Sequence, residues 1–148
     1  MLTDDSPILV SACLLGLCCR YNAESKANER VLVLAKTHPL VPVCPEQLGG
    51  LPTPRPPAER KGERVVSSDG TDVTDAFQKG AEETLLLART LGCKTAVLKA
   101  RSPSCGHGRI YDGTFAGSLV PGSGVTAELL EASGIAVYTE EEIPSLID

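Results

Sequence analysis

Short, mainly apolar runs recur along the chain. They occupy positions 7–12, 40–43, 95–98 and 135–138, and none shows the polar alternation of a half-exposed strand. Their length suits strands rather than helices. We therefore predict four β-strands at these positions, each buried on both faces of its sheet.

Helical patterns separate these runs. The strongest covers residues 74–91, and Gly92 follows it where a C-terminal cap belongs. Its apolar residues recur at helical spacing: Phe77, Ala81, Leu85, Ala88 and Leu91. Weaker helical patterns lie at 29–36 (with Val31, Leu34 and Ala35 on one face and Pro39 behind), at 126–132 (capped by Gly134) and at 140–147 (interrupted by Pro144).

Strands that follow helices through short loops predict a parallel sheet with both faces covered. We predict a single domain over residues 1–148 with a three-layer α/β fold, Rossmann-like or flavodoxin-like, and a mostly parallel sheet.

Two segments interrupt the α/β pattern. Residues 51–61 carry four prolines and predict an ordered extended loop over the functional face. Residues 65–73 carry Asp69-Gly70 between β-formers and predict a hairpin.

Composition excludes several classes of protein. With 42% apolar residues, the 148-residue chain has the make-up of a globular protein. No run approaches the roughly 20 apolar residues of a membrane span. The apolar run 8–10 behind Asp4 and Asp5 has neither the length nor the charge of a secretory signal. A net charge of −5 and 3% aromatic residues disfavour a nucleic-acid binder. We therefore expect a cytoplasmic protein that binds neither nucleic acid nor membrane.

Six cysteines without a secretory signal indicate a reducing compartment, where cysteines bind metals or catalyse more often than they form bridges. Three of them follow predicted strands: Cys13 and Cys44 directly, and Cys105 a few residues later. The carboxyl ends of parallel strands share one edge of the sheet, and ligands bind there. We expect these three thiols to converge in a functional site. The alternative is that they are inert core residues.

The spacing of the cysteines narrows the choice of ligand. The chain has no CxxC pair, so a structural zinc ribbon is a poor match. Thiolates select zinc, copper or iron–sulfur clusters, and a cluster usually takes four cysteines. Cys19 is a candidate fourth ligand that would close the site, whereas three ligands leave one iron open as a Lewis acid. We expect Cys93 to be core or surface filler and Cys18 to be an incidental neighbour of Cys19.

Polar residues gather near the same strand ends. Glu46 lies two residues beyond Cys44, where a carboxylate serves as a general acid or base, or else caps a helix or pairs with an arginine. Ser102 either orients a substrate or makes the turn before Pro103. The cationic side chains of Lys99 and Arg101 either form a solvated strand end or complement the negative sulfurs of a cluster. The other polar residues of this group are Arg20, Gln47, Arg55 and Ser104.

Five segments form a specific pattern: SACLLGLCCRY at 11–21, VCPEQLGGLPTPR at 43–55, DVT at 72–74, LKARSPSCG at 98–106 and IYDGTF at 110–115. This pattern resembles the thiouracil desulfidase family over nearly the whole chain. The resemblance implies a [4Fe-4S] cluster held by only three cysteines, at positions that match Cys13, Cys44 and Cys105. It implies catalytic roles for Glu46 and Ser102, and removal of sulfur from thiolated uracil without net redox change.

The leading hypothesis is an enzyme that acts on a small thiolated nucleobase, with Glu46 managing protons and Ser102 holding the base or the attacking water. The runner-up is a protein that stores, carries or senses iron–sulfur clusters. Glu46 and Ser102 discriminate between the two, because a carrier needs no carboxylate at an open iron. A third hypothesis is a persulfide-handling protein, whose activity would survive removal of iron. The desulfurised ring position and the oligomeric state are left open.

Overall fold

A computed structural model describes residues 6–143 and resolves their fold into strands, α-helices and short 3₁₀ helices. The strands are β1 (Ile8–Ser11), β2 (Leu40–Val43), β3 (Ala58–Lys61), β4 (Arg64–Ser67), β5 (Thr95–Leu98), β6 (Arg109–Tyr111), β7 (Leu119–Pro121) and β8 (Ala136–Thr139). The helices are α1 (Glu29–Leu34), α2 (Pro45–Leu48), α3 (Thr74–Leu91) and α4 (Val125–Ala132), with 3₁₀ helices at Ala12–Leu15 and Glu140–Glu142.

The central sheet has the strand order β2-β1-β5-β8, and its three pairings are all parallel. In this register Ile8 lies opposite Leu40 on one side and Thr95 on the other. Within this sheet the order is flavodoxin-like, with the first strand in the chain next to the second and the third. The predicted α/β fold is thus confirmed. The carboxyl ends of β1, β2 and β5 lie side by side at one edge.

Helices cover both faces of the sheet, which makes three layers. All residues of β1 and β5 are buried, as expected for parallel strands that are packed on both sides. On one face, Ile8 and Val10 pack with Val31 and Leu34 of α1. On the other face, a second cluster joins the sheet to α3 and α4 through Leu9, Ala88, Ala96, Leu98, Ala127 and Leu130.

Helix α3 has the predicted bounds, because its apolar periodicity and its glycine stop signal agree. Gly92 is left-handed (φ 73°), and its N–H donates to the carbonyl oxygen of Ala88. Phe77 and Ala81 are buried as predicted. The periodicity predicts Leu91 on the same face, but this residue is 46% exposed, since it lies in the last turn beside the cap.

The first strand and the first helix are shorter than predicted. β1 ends at Ser11, not at position 12, because the next four residues wind into a 3₁₀ helix. That helix ends at Gly16, which is left-handed (φ 103°). Helix α1 ends at Leu34 rather than at position 36, and Ala35 is exposed instead of buried.

The C-terminal elements are displaced by about one residue from the prediction, within the usual spread of such boundaries. Ser133, not Gly134, caps α4, and β8 begins at Ala136 rather than at position 135. The predicted tail helix begins as the 3₁₀ helix at Glu140, where the hydroxyl of Thr139 accepts from the N–H of Glu141. Its predicted interruption at Pro144 lies outside the described residues.

The two interruptions of the α/β pattern contain more strand than predicted. Residues 58–61 are not loop but β3, which pairs antiparallel with β4. The predicted turn at Asp69-Gly70 is present, since the N–H of Ser67 donates to the carbonyl oxygen of Thr71 at 2.9 Å. The sequence pattern does not predict β6 and β7, which pair antiparallel with only three residues each. None of the helices within residues 6–143 is long and apolar enough to cross a bilayer.

Two glycines let α2 and α3 pack at backbone contact. A Cβ at Gly49 would clash with the carbonyl oxygen of Ala76, and a Cβ at Gly80 would clash with the carbonyl oxygen of Pro45. Such an approach is open only to residues without a side chain. It presses α2, which carries Glu46 in its first turn, against the long helix α3.

Replacing Gly80→Ala tests this contact. On an isolated helix the change would stabilise by about 1 kcal/mol. Here the added methyl group has no space, so we expect the free energy of unfolding to fall by about 1–3 kcal/mol. Urea denaturation measures it, with Thr90→Ala on the exposed face of α3 as the control. A Gly80→Ala protein that is more stable than the wild type would show that the helices do not touch there.

Candidate functional site

One cavity of about 560 Å³ opens at the edge of the sheet where β1, β2 and β5 end. Four cysteines line it: Cys13, Cys19, Cys44 and Cys105. Glu46 and Ser102 line the same cavity. The structure therefore brings together the five residues to which the sequence assigns a function, with Cys19 beside them.

The first two thiols owe their positions to tight backbone structures. Cys13 lies in the 3₁₀ helix after β1, and its carbonyl oxygen accepts from the N–H of Lys26 at 2.9 Å. This bond closes residues 14–25 into a loop that returns Cys19 to the cavity. Cys19 is 6% exposed, although its neighbour Cys18 is exposed.

Cys44 and Cys105 follow the other two strand ends. Cys44 is the N-cap residue of α2, and a proline follows it at the first helical position. Cys105 lies in a turn in which the Ser102 hydroxyl oxygen accepts from the N–H groups of Ser104 and Cys105, both at 3.1 Å. The turn also requires Gly106, because a Cβ there would lie 2.7 Å from the carbonyl oxygen of Ser102.

Burial and mutual contact favour the neutral form of three of these thiols, Cys19, Cys44 and Cys105. Burial raises the pKa of Cys105 to about 12. A hydrogen bond with Cys19, and then burial, raise the pKa of Cys44. A hydrogen bond with Cys13 and burial raise the pKa of Cys19, against an opposing hydrogen bond with Cys44. Because thiolates bind metals, a cation entering the cavity would displace these protons and satisfy several sulfurs at once.

Arg55 joins Glu46 to the cysteine loop. Its side chain is 5% exposed, and its Nε donates to Glu46 Oε1 at 2.9 Å. Its Nη2 donates to the carbonyl oxygen of Cys19 at 3.0 Å, while its Nη1 donates to Thr53 Oγ1 at 2.9 Å. The backbone N–H of Arg55 donates to the carbonyl oxygen of Tyr21. The proline-rich segment is thus an ordered loop over the functional face, as predicted, and Glu46 has an arginine partner.

Three other cationic side chains named in the sequence analysis line the cavity: Lys99 and Arg101 after β5, and Arg20 in the cysteine loop. Lys99 Nζ lies 3.3 Å from Glu140 Oε2, and both side chains are largely buried. Arg101 Nη2 lies 2.9 Å from Glu141 Oε2 at the surface. Arg20 also lines the cavity, with its guanidinium carbon 5.6 Å from the centre of the Tyr21 ring.

The two remaining cysteines do not belong to the cavity. Cys93 is buried in the cluster between the sheet, α3 and α4, and burial raises its pKa. Of the two locations expected for Cys93, the core or the surface, the structure shows the core. The cavity also contains residues that the sequence reasoning missed: Tyr21, Glu59, Tyr111 and Phe115. The scarcity of aromatic residues was the available signal, since three of the chain's five line this one cavity.

The donor set fits an iron–sulfur cluster better than a single ion. Among the described residues, no three His, Cys, Asp or Glu side chains are arranged to hold one metal ion. The thiols instead line a cavity wide enough for a larger group. Thiolate sulfur is the standard ligand of iron–sulfur clusters. Sulfur is the ligand type that these residues present to the cavity from three strand ends.

The fold and the site define an α/β protein with a thiol-lined ligand site at the carboxyl edge of a parallel sheet. The chain belongs to the 2-thiouracil desulfurase family, whose model matches residues 8–142. It is 48% identical to a solved structure of a [4Fe-4S]-dependent thiouracil desulfidase, TudS, with a TM-score of 0.90 and 95% of each chain covered. It is 43% identical to the uncharacterized protein YbbK of Bacillus subtilis (strain 168), over 95% of this chain and 99% of that protein.

Arg55→Met should destabilise the protein, because it leaves the largely buried Glu46 carboxylate without its cation and the Cys19 carbonyl without its donor. Loss of one partner of such a pair costs about 3 kcal/mol. Urea denaturation of the iron-free protein measures the effect. Arg64→Met is the matched control, since it breaks an exposed pair with Asp72 and should change stability much less. Equal effects of the two variants would contradict the role given to Arg55.

Proposed function

We propose that this protein is a [4Fe-4S]-dependent desulfidase that converts thiouracil to uracil and hydrosulfide. The observation that carries the proposal is the convergence of Cys13, Cys44 and Cys105 with Glu46 on one cavity. Family membership and the likeness to TudS support it. The direct test is anaerobic incubation of the iron-loaded protein with 2-thiouracil and 4-thiouracil. Release of uracil and sulfide in equal amounts is expected, and absence of both would overturn the proposal.

Cys13, Cys44 and Cys105 would hold the cluster, and Cys19 would stay beside it without ligating. When bound, a cluster with three protein ligands supplies a Lewis-acidic iron that accepts a soft sulfur atom. The three proposed ligands come from three different strand ends, so the sheet itself fixes their separation. Cys19 comes from a loop that is held by Arg55 and by the Cys13 carbonyl oxygen.

The overall reaction is a hydrolysis. A C=S bond of the pyrimidine is replaced by C=O, water supplies the oxygen, and sulfur leaves as hydrosulfide, so no electrons are gained or lost. The attacking water must give up protons as the sulfur leaves. Glu46 is the proton carrier in this proposal, because its carboxylate lines the cavity and a general base must lie within reach of the water.

Arg55 positions Glu46 without using up the carboxylate. The bond from Arg55 Nε occupies one acceptor position on Oε1, whereas a carboxylate offers about four. Helix α2 presents Glu46 in its first turn, close behind the Cys44 cap. The base and one proposed ligand therefore share one rigid element, and their separation does not depend on a loop.

Ser102 has two uses in this site. Its oxygen accepts the two N–H groups that shape the turn around Cys105. Its hydroxyl hydrogen is not consumed by these bonds, since a hydroxyl donates one hydrogen and accepts through its lone pairs. That hydrogen can point into the cavity and hold the oxygen or nitrogen edge of the base. The cluster-carrier hypothesis explains the turn but gives no use to Glu46.

Replacing each proposed ligand by serine should abolish the brown iron-bearing protein obtained under anaerobic conditions. Cys13→Ser, Cys44→Ser and Cys105→Ser should each lose most iron and acid-labile sulfide, because a hydroxyl is a poor substitute for a soft thiolate. Cys93→Ser and Cys18→Ser are the controls and should keep about four irons per chain, the content of a cubane cluster. Iron retention by Cys105→Ser together with iron loss by Cys93→Ser would refute this ligand assignment.

Cys19→Ser separates an open site from a closed one in the same experiment. If Cys19 does not ligate, this variant keeps iron and turnover. If Cys19 is the fourth ligand, the variant loses iron or gains activity as an iron position becomes free. We expect the first result.

Glu46→Gln should keep the fold and the iron but lose most turnover. The two side chains are nearly equal in volume, yet glutamine cannot exchange a proton at neutral pH. General acid–base catalysis contributes about 10²–10⁴-fold, so the rate of sulfide release should fall by that order. Binding of thiouracil, seen as a change in the visible spectrum, should persist.

The control is Glu82→Gln on the exposed face of α3, which should match the wild type. Both variants are compared at equal iron content. Turnover of Glu46→Gln within a factor of about three of the wild type, well below the range for general catalysis, would make Glu46 a structural residue.

A further inference from the structure

The few aromatic residues of this chain are concentrated at the cavity. The sequence contains three Tyr and two Phe. Tyr21, Tyr111 and Phe115 all line the cavity, and they come from three separate segments: the cysteine loop, strand β6 and the loop that follows it. The other two, Phe77 and Tyr138, pack in the core. We call Tyr21, Tyr111 and Phe115 the aromatic wall.

Phe115 is in a conformation that packing does not explain. Its φ of 58° is in the left-handed region, which bulky side chains rarely adopt. Burial of the side chain does not offset the cost of this backbone conformation, because the residue is 41% exposed. Strained residues of this kind persist where the surrounding structure holds them, and they concentrate at ligand sites.

Glu59 is the group that holds Phe115. Glu59 Oε1 accepts from the N–H of Gly113 at 3.0 Å and from the N–H of Phe115 at 3.1 Å. Glu59 lies on β3, and the next side chain on that strand, Arg60, binds the carbonyl oxygen of Ser123 at 2.7 Å. Strand β3 is thus fixed to the body of the protein on one side and fixes loop 112–118 on the other.

We propose that the aromatic wall binds the flat face of the pyrimidine ring, and that Glu59 positions Phe115 for this contact. The inference rests on the proposed function and adds the basis of its substrate recognition. A bond between an iron of the cluster and the sulfur atom of the substrate would form with any thiocarbonyl compound, because it involves only that sulfur atom. Aromatic rings distinguish a planar heterocycle from an open-chain compound, since every base offers a face for stacking.

The variant Phe115→Gly separates recognition from folding. Glycine adopts a positive φ without steric cost, so the melting temperature should stay the same or rise. Loss of one stacking ring should weaken binding of 2-thiouracil and of uracil roughly 10- to 100-fold. KM should rise by a similar factor with little change in kcat, because the ring binds ground state and transition state alike. Phe115→Tyr should restore binding.

Binding is measured without turnover through tyrosine fluorescence, since the chain has no Trp and two of its three tyrosines, Tyr21 and Tyr111, line the cavity. Titration with uracil, which has no sulfur, reports the contacts to the ring without any contribution from a bond between iron and sulfur. Thiourea, which has a thiocarbonyl group but no ring, should bind the wild type and Phe115→Gly equally. Leu86→Ala, at an exposed site on α3, is the control for loss of a surface apolar group.

Glu59 is tested as a positioning residue. Glu59→Leu removes the acceptor. We expect this variant to have a higher KM for 2-thiouracil and to show faster hydrogen exchange at the amides of Gly113 and Phe115. Glu59→Gln keeps an acceptor oxygen and should restore both toward wild type. Glu63→Leu, in the exposed turn of the same hairpin, should change neither.

The outcomes separate this inference from the proposed function. If the wild type releases sulfide from thiouracil but Phe115→Gly binds uracil and 2-thiouracil as tightly as the wild type does, the aromatic wall is refuted and the desulfidase stands. If the wild type binds uracil through the wall but releases no sulfide, the proposed function fails and the wall stands. Equal loss of thiourea and thiouracil binding in Phe115→Gly would also refute the wall.

Discussion

The parallel pairing of β1 with β2 and β5 is the constraint on which the site depends. Because the three strands run in the same direction and in matched register, their carboxyl ends are level at one edge. Each strand is followed by a short structure that carries a thiol: a 3₁₀ helix for Cys13, the α2 cap for Cys44 and a serine-stabilised turn for Cys105. None of these thiols is placed by a long flexible segment, so their separation is set by the hydrogen bonds and the core of the sheet.

The cavity has two parts: a floor, formed by the cysteines that follow the strands, and a rim of charged and aromatic side chains from the loops and hairpins around it. Burial keeps the Cys105 thiol protonated in the absence of a metal. Five cationic side chains and two carboxylates line the same cavity, so it carries positive charge within a chain whose net charge is −5. That charge favours thiolates once a metal centre has displaced the protons. Arg55 and Lys99 are also held by ion pairs with Glu46 and Glu140, which limits the cost of burying them.

The parts of the fold that the sequence predicts are those with strong local patterns. The strands β2 and β5 and the helix α3 have the predicted bounds, because apolar runs and glycine or proline stops mark them. Strand β3 escapes prediction because its sequence, AERK, has no apolar alternation, and its pairing depends on β4 and on the Arg60 contacts. The convergence of the three cysteines follows from topology alone. The bond between Arg55 and Glu46 and the position of Phe115 do not, because no sequence pattern specifies these side-chain hydrogen bonds.

The floor and the rim of the cavity are therefore attached to the fold in different ways. The thiol floor is built into the central sheet, and a change there disturbs the buried clusters that hold the strands together. The rim is built from hairpins and loops that are attached by a few hydrogen bonds, such as those of Glu59 and Arg60. Substitutions in such loops cost less stability than substitutions in a packed core. In the proposed desulfidase, such a scaffold would keep the sulfur chemistry at the buried thiols, while the residues of the rim would determine which thiolated molecule is admitted.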